Sequence, residues 1–161
     1  MKRILISVLF ILFFIVPILC WSAGTVTQSL AIQPNNSNLK ILTFAWVGDA
    51  GGGTVPATNT NTEITKAIQG HSVYMVVTIP GSGVAPTNLY DITLKDGDGL
   101  DTMGGTLADR SATVTELALP KLESVSPIYG KRPVNGVITL TITNQNVNSA
   151  TGTVRIYLTR E

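Results

Sequence analysis

The sequence is poor in the residues that build disulfide frameworks, metal centres and nucleic-acid surfaces. It contains one cysteine, one histidine and few aromatic residues, which make up 6% of its 161 residues. A lone cysteine excludes a disulfide framework and a cysteine-based zinc site, and a lone histidine excludes a histidine-rich metal centre. Only 13% of the residues are charged, and 11 basic against 10 acidic residues leave a net charge of +1. Nucleic-acid binding requires a basic surplus, so we expect no nucleic-acid partner.

Hydrophobic residues are nevertheless abundant, at 44%, and many of them form one run at the start of the chain. Lys2 and Arg3 precede an uncharged stretch, residues 4–20, which is followed by small residues. This order of basic, apolar and small segments is typical of a secretory signal peptide. We therefore interpret residues 1–23 as a signal peptide and residues 24–161 as an exported domain, which is periplasmic, extracellular or anchored to a membrane.

Two alternatives remain open for this N-terminal segment. Its apolar run of 17 residues is at the lower limit for a membrane span, so an uncleaved anchor would give the protein its only membrane contact. A lipid anchor at Cys20 is the second alternative, although Leu19 stands where a lipoprotein signal requires a small residue. Cleavage would remove the single cysteine and thereby exclude a cysteine nucleophile.

Beyond the N-terminal segment, apolar residues recur with a period of two, which is the period of β-strands. In residues 72–79 the pattern places Val73, Met75, Val77 and Ile79 on one apolar face. Similar alternation occurs at 25–32, 42–46, 90–94, 138–143 and 153–159. Two further segments, at 63–68 and 112–119, are weaker strand candidates.

Turn-forming glycine and asparagine residues separate these segments, and no long amphipathic helix is present. Residues 62–69 could form two helical turns at most. Seven or eight short strands of this kind predict an all-β fold, a single antiparallel β-sandwich of jelly-roll or immunoglobulin-like type. We expect the segments at 138–143 and 153–159 to form an antiparallel C-terminal hairpin.

The aromatic residues divide between the two faces of the predicted strands. Trp46 and Tyr90 share the apolar parity of their strands, which favours packing in the core over stacking on a sugar. Tyr74 and Tyr157 lie on the polar parity, so we consider them the candidate exposed contact residues.

The acidic segment Asp96-Gly97-Asp98-Gly99-Leu100-Asp101, with Asp91 before it, is the one candidate metal site. Carboxylates on a tightly curved backbone suit calcium, so the candidate ligands are Asp91, Asp96, Asp98 and Asp101. Aspartate beside glycine is equally typical of a β-turn, and Leu107 stands where an EF-hand loop has its final glutamate. We therefore favour a hairpin turn, with a calcium site as the alternative, and the sequence suggests no other cofactor.

The residues needed for catalysis do not occur in recognisable arrangements. No serine lies in a Gly-x-Ser-x-Gly motif, and residues 51–53 lack the lysine of a phosphate-binding loop. His71 has no second histidine or cysteine with which to bind a metal, so we expect it at a strand edge or in the core. We therefore expect a protein that is not an enzyme.

The chain resembles small, mostly uncharacterised virion-associated proteins of tailed bacteriophages and prophages. The resemblance lies in the order of the segments at 70–81, 85–94, 96–101, 104–105, 108–110, 137–144 and 147–154. The resemblance covers about residues 68–161 and supplies no catalytic residue. It implies a β-rich structural module used in assemblies. Because virion proteins normally assemble in the cytoplasm, the N-terminal segment suggests an exported cellular relative or a membrane-directed phage product.

These observations together predict an exported, non-enzymatic structural or interaction module, and the resemblance implies that it takes part in a phage- or prophage-derived assembly. Its strand edges and threonine-rich faces would contact protein partners or further copies of the chain. The alternative function is a secreted glycan- or surface-binding domain that uses Tyr74, Tyr157 and the glycine-rich loops.

Overall fold

The computed structural model describes residues 22–34, 36–123 and 127–160. The regular secondary structure of these residues consists of one short helix and nine β-strands, which confirms the all-β prediction. In chain order the elements are β1 (Thr25–Gln33), β2 (Asn36–Val47), β3 (Thr58–Asn59), α1 (Thr62–Ile68), β4 (Ser72–Pro80), β5 (Asp91–Lys95), β6 (Glu116–Ala118), β7 (Arg132–Pro133), β8 (Thr139–Thr143) and β9 (Thr151–Thr159).

The predicted signal peptide lies, except for its last two residues, outside the described part of the chain. The predictions about its cleavage, anchoring and lipidation at Cys20 lie outside it as well. Within the described ranges, no helix is both long and apolar enough to cross a bilayer.

The strands form two antiparallel sheets that share one hydrophobic core. The larger sheet has the order β1-β2-β9-β4-β6, with β7 also paired to β4, and the smaller sheet has the order β3-β8-β5. Consecutive strands from β2 to β5 alternate between the two sheets: β2 and β4 belong to the larger one, and β3 and β5 to the smaller one. β8 and β9 likewise belong to different sheets. This interleaved order is that of a jelly roll, one of the two sandwich types that the sequence predicts.

The core lies between the two sheets and is built from residues that alternate along the strands. Trp46 and Tyr90 are both buried there, with ring centroids 5.8 Å apart in an edge-to-face arrangement, which confirms their predicted place in the core. Burial raises the pKa of Tyr90 to about 12. The other buried residues of the paired strands include Leu42, Phe44, Ile92, Leu94, Leu140, Ile142, Val154, Ile156 and Leu158.

The predicted C-terminal hairpin is wrong. β8 pairs with β3 and β5 in the smaller sheet, whereas β9 pairs with β2 and β4 in the larger one. Residues 144–150 therefore cross from one sheet to the other instead of turning back within a sheet. Alternation shows that each strand has one buried face, but it cannot show which sheet the strand joins, because both sheets cover the same core.

The predicted apolar face of β4 is also wrong beyond its second residue. Val73 is buried as predicted, but Val76 and Thr78 are the next buried residues. The other residues of the predicted face are only half-buried: Met75, Val77 and Ile79. The reason is an irregularity in the pairing with β9 between Val73 and Met75, where Tyr74 is the extra residue. Such a β-bulge shifts the inside–outside alternation by one residue.

The weak strand prediction at 63–68 is replaced by the two-turn helix that the sequence allowed. Asn61 caps α1, since its side chain accepts a hydrogen bond of 2.8 Å from the Ile64 amide. Ile64 and Ile68, one helical turn apart, are buried in the core. The other weak prediction, at 112–119, is reduced to the three residues of β6.

The loops at one end of the sandwich are joined by the buried side chain of Gln145, which is 3% exposed. Its amide nitrogen donates to the carbonyl oxygens of Gly53 at 2.6 Å and Val147 at 2.9 Å. Its amide oxygen accepts from the main-chain nitrogens of Thr87 and Val147, each at 3.0 Å. Gln145 therefore holds three loops together at the place where the chain crosses between the sheets.

Replacing Gln145 by leucine keeps the volume of the side chain but leaves these buried groups without partners. We expect Gln145→Leu to lower the free energy of unfolding by about 3 kcal/mol. This corresponds to a fall in Tm of roughly 6–12 °C, measurable by thermal denaturation. The control is Gln69→Leu, because the exposed Gln69 makes one long hydrogen bond, 3.5 Å to Gly136. Equal effects of the two substitutions would contradict the role given to Gln145.

Candidate functional site

Large apolar side chains are exposed where the larger sheet ends at β6. The exposed fractions are 44% for Tyr74, 57% for Leu117, 38% for Leu119 and 53% for Tyr129. Leu117 pairs with Val77 on the outward face of the sheet, and Tyr74 is the extra residue of the bulge in β4. We call these four residues the apolar surface.

Two shallow depressions, of about 200 and 350 Å³, connect the members of the apolar surface. Tyr74 lines the smaller depression and Leu117 lines the larger one, and Leu119 and Tyr129 line both. The apolar surface is therefore continuous, with a hollow on each side of Leu119 and Tyr129. Shallow hollows lined by leucine and tyrosine suit the side chains of a protein partner.

The position of β6 depends on the polar turn before it. The hydroxyl of Ser111 accepts hydrogen bonds from the amides of Thr113 at 3.2 Å and Val114 at 3.0 Å. Glu116, the first residue of β6, accepts a hydrogen bond of 2.7 Å from the Ser111 amide and lies 3.8 Å from the Arg110 guanidinium. This turn holds a strand of only three residues against β4, which leaves Leu117 and Leu119 exposed.

The two tyrosines selected from the sequence occupy different environments on the larger sheet. Tyr74 is exposed and belongs to the apolar surface. Tyr157 is half-buried and lies opposite Met75 and Ile41 on the outward face. Both tyrosines thus lie on the β4–β9 pair, but the depressions of the apolar surface are lined by Tyr74 and not by Tyr157.

Three members of the apolar surface were missed by reasoning from the sequence. Leu117 and Leu119 alternate with Ala118, but the small residue faces the core and the large ones face outward, which reverses the usual pattern. Tyr129 lies in a segment without alternation, and an isolated bridge to Lys121 positions it. The signal available in the sequence was two leucines flanking an alanine, an alternation in which the larger side chains lie on the same face.

The carboxylate of Asp96 holds the turn that follows β5. Asp96 is 8% exposed, and one of its oxygens accepts hydrogen bonds from the amides of Asp98 at 3.1 Å and Leu100 at 2.9 Å. Its own amide donates to the carbonyl oxygen of Leu100 at 3.0 Å. This arrangement is that of an aspartate closing a tight turn.

The other three candidate calcium ligands each have a separate role in holding loops together. Asp101 accepts hydrogen bonds from the amides of Met103 at 3.1 Å and Gly105 at 2.7 Å. Asp98 accepts from the side chain of Asn135. Asp91 accepts from the Asp109 amide at 2.8 Å and from the side chain of Asn144.

The four carboxylates are therefore directed to different partners. In the described ranges, no group of three or more histidine, cysteine, aspartate or glutamate side chains is placed to hold a metal ion. The geometry favours the turn interpretation of the acidic segment over calcium binding.

If Asp96 serves the turn, its removal should destabilise the protein equally with and without calcium. We expect Asp96→Ala to lower the free energy of unfolding by about 2 kcal/mol, which is roughly 4–8 °C in Tm. Millimolar calcium should leave the Tm of the wild-type protein unchanged. A calcium-dependent rise in Tm that Asp96→Ala abolishes would instead establish a calcium site.

A fifth aspartate, Asp49, which is not among the candidates selected from the sequence, organises the glycine-rich loop 49–54. The side chain of Asp49 accepts hydrogen bonds from the Thr54 hydroxyl and from the amides of Gly51 and Gly52. These bonds, that from Thr54 first, lower the pKa of Asp49 to about 2. The three glycines therefore form an aspartate-closed turn and not a phosphate-binding loop.

The lowered pKa of Asp49 gives the fold a defined dependence on pH. Because the folded-state pKa lies below the usual value of 3.8, Asp49 stabilises the fold above about pH 4, and this contribution is lost as the pH falls towards 2. Asp49→Asn should flatten the fall in stability between pH 4 and pH 2, and Thr54→Val should flatten it partly. Denaturant titrations across this range measure the effect, and identical slopes in all three proteins would refute it.

His71 is buried, with 3% of its surface exposed, as expected for a core residue. Its Nδ1 atom lies 3.2 Å from the carbonyl oxygen of Gln69. Its Nε2 atom is buried and has no hydrogen-bond partner among the residues that the structure describes. The ring is thus part of the packing between α1 and β4.

Comparisons of the chain with protein-family models, with curated proteins and with solved structures find no significant match.

Proposed function

We propose that the protein is an exported, non-enzymatic structural module that takes part in a phage- or prophage-derived assembly through protein contacts. The observation that carries this proposal is the apolar surface, in which Tyr74, Leu117, Leu119 and Tyr129 are exposed side by side. Exposed apolar residues that form a continuous patch are typical of interaction sites, whereas scattered ones are ordinary.

The composition of the apolar surface supports a protein partner. Tyrosine is enriched at the centres of protein interfaces because it buries a large area while losing little conformational entropy. Lys131 lines the smaller depression together with Tyr74. Glu116, next to Leu117 in β6, is used with Arg110 to position that strand. The jelly-roll order agrees with this proposal, since viral capsid proteins and lectins both use it, but a fold alone does not assign a function.

The proposal is tested by placing a photo-crosslinking amino acid at Leu117 in the cells that naturally produce the protein. Irradiation should attach a protein partner at this position. The matched control position is Leu100, which is 53% exposed but lies outside the apolar surface. A crosslinking yield at Leu117 no higher than at Leu100 would overturn the proposal.

A secreted glycan-binding domain is the second candidate function. The observation that favours it is the depression of about 200 Å³ in which the rings of Tyr74 and Tyr129 could stack on a sugar. A glycan array tests it, and binding should be lost in Tyr74→Ala and Tyr129→Ala and retained in Tyr157→Ala. An array without hits, or hits that both substitutions leave unchanged, would reject this candidate.

A further inference from the structure

The larger sheet has one long edge with almost none of the features that normally prevent edge-to-edge pairing. β1 is nine residues long, contains no charged residue and no proline, and has its single irregularity at the last step, between Ile32 and Gln33. Natural proteins usually protect such an edge with charges, prolines, bulges or short strands. The opposite edge is protected in this way, since β6 has three residues and β7 consists of Arg132 and Pro133.

The edges of the smaller sheet are protected too. β3 has only two residues, and β5 begins with Asp91 and ends with Lys95. Isolated bridges also form at both ends of β5, between Tyr90, just before the strand, and Arg110, and between Lys95, its last residue, and Asp101. Among the described strands, β1 is therefore the one long edge that is open to pairing.

The hydrogen bonds at the ends of β9 show which main-chain groups of β1 face outward. The Gly48 amide donates to the carbonyl oxygen of Ala150, and the Arg160 amide donates to the carbonyl oxygen of Asn38. Because main-chain groups alternate in direction along a strand, the even-numbered residues of β2, from 38 onwards, direct their hydrogen bonds to β9. The odd-numbered residues of β2 must then bond to the odd-numbered residues of β1. The main-chain groups that point away from the sheet belong to Val26, Gln28, Leu30 and Ile32.

None of these outward groups has a main-chain partner among the described residues. The side chains of the same four residues face inward, and Val26 and Leu30 pack against the core. Ile32, at the end of this row, is 57% exposed. The edge thus offers unpaired donors and acceptors next to an uncovered apolar side chain.

We propose that β1 pairs antiparallel with β1 of a second copy of this chain, about a twofold axis at Ser29. In this register Val26 faces Ile32 of the other copy and Gln28 faces its Leu30, so each outward residue exchanges both main-chain hydrogen bonds. The exposed Ile32 is then covered by Val26, and no charges are placed opposite each other.

The self-complementarity of β1 is what identifies a second copy as the occupant. A twofold contact uses the same strand on both molecules and closes on itself. The dimer would have only protected edges, those of β6 and β7, at its two ends, so the sheet would not grow further. This inference deepens the proposed assembly role, on which its functional meaning rests, but it concerns the edge opposite to the apolar surface.

Ser29 allows a direct test because its side chain is exposed on the face of β1 that points away from the core. In the proposed dimer it would lie opposite Ser29 of the second copy, across the twofold axis. Sedimentation velocity of the purified full chain should show a concentration-dependent dimer. Ser29→Lys would place two ammonium groups opposite each other and should raise the dimer dissociation constant about fivefold. Mixing Ser29→Lys with Ser29→Glu should restore dimers, and the control Ser82→Lys, in an exposed loop, should have no effect.

A single cysteine supplies a geometric test in a Cys20→Ser background. In the proposed register the two Ser29 residues form a non-hydrogen-bonded antiparallel pair. The Cα atoms of such a pair are about 4.5 Å apart, which is within the range that a disulfide spans. Ser29→Cys should therefore form a disulfide-linked dimer under mild oxidation, whereas Ser82→Cys should stay monomeric.

A wild-type chain that is monomeric at all concentrations would overturn the proposed pairing. A dimer that Ser29→Lys leaves intact would also overturn it, because the copies would then meet through another surface. Neither result bears on the crosslinking test at Leu117, so failure of the self-pairing and failure of the proposed function can be told apart.

Discussion

The structure depends on the place of β9 between β2 and β4. This strand pairs along its full length with β2 and from Gly152 to Thr159 with β4, which are themselves not neighbours. It buries Val154, Ile156 and Leu158 in the core that the two sheets share. Without β9, β2 and β4 would have no strand between them, and the smaller sheet would lose the buried side chains of β9 against which it packs.

The register of β9 is set by a close contact at its beginning. A side-chain carbon at Gly152 would lie 2.4 Å from the Cζ2 atom of Trp46, so only glycine fits beside this ring. The ring of Trp46 in turn packs edge-to-face on Tyr90, the residue immediately before β5 of the smaller sheet. Because a shift of one residue would turn the apolar face of β9 to solvent, this contact and the alternation specify the same register.

Alternation along the chain was enough to predict the strands that follow a strict period of two. It identified β1, β2, β5, β8 and β9, and it placed Trp46 and Tyr90 in the core. It failed at β4, because a bulge at Tyr74 moves later residues to the other face. It also failed for the pairing of β8 and β9, because the choice of sheet depends on contacts distant in sequence. Of the apolar surface, the sequence indicated only Tyr74, because the exposure of Leu117 and Leu119 results from the shortness of β6.

The central position of β9 also decides which parts of the larger sheet can meet other molecules. It places β1 at one edge and β6 at the other, with the apolar surface next to β6. We propose that the protein works as one component of an assembly held by β1 and the apolar surface. Native mass spectrometry of the protein isolated from the cells that produce it is the decisive measurement. We expect a complex of more than one chain, and the mass of a single chain under all gentle conditions of isolation would contradict it.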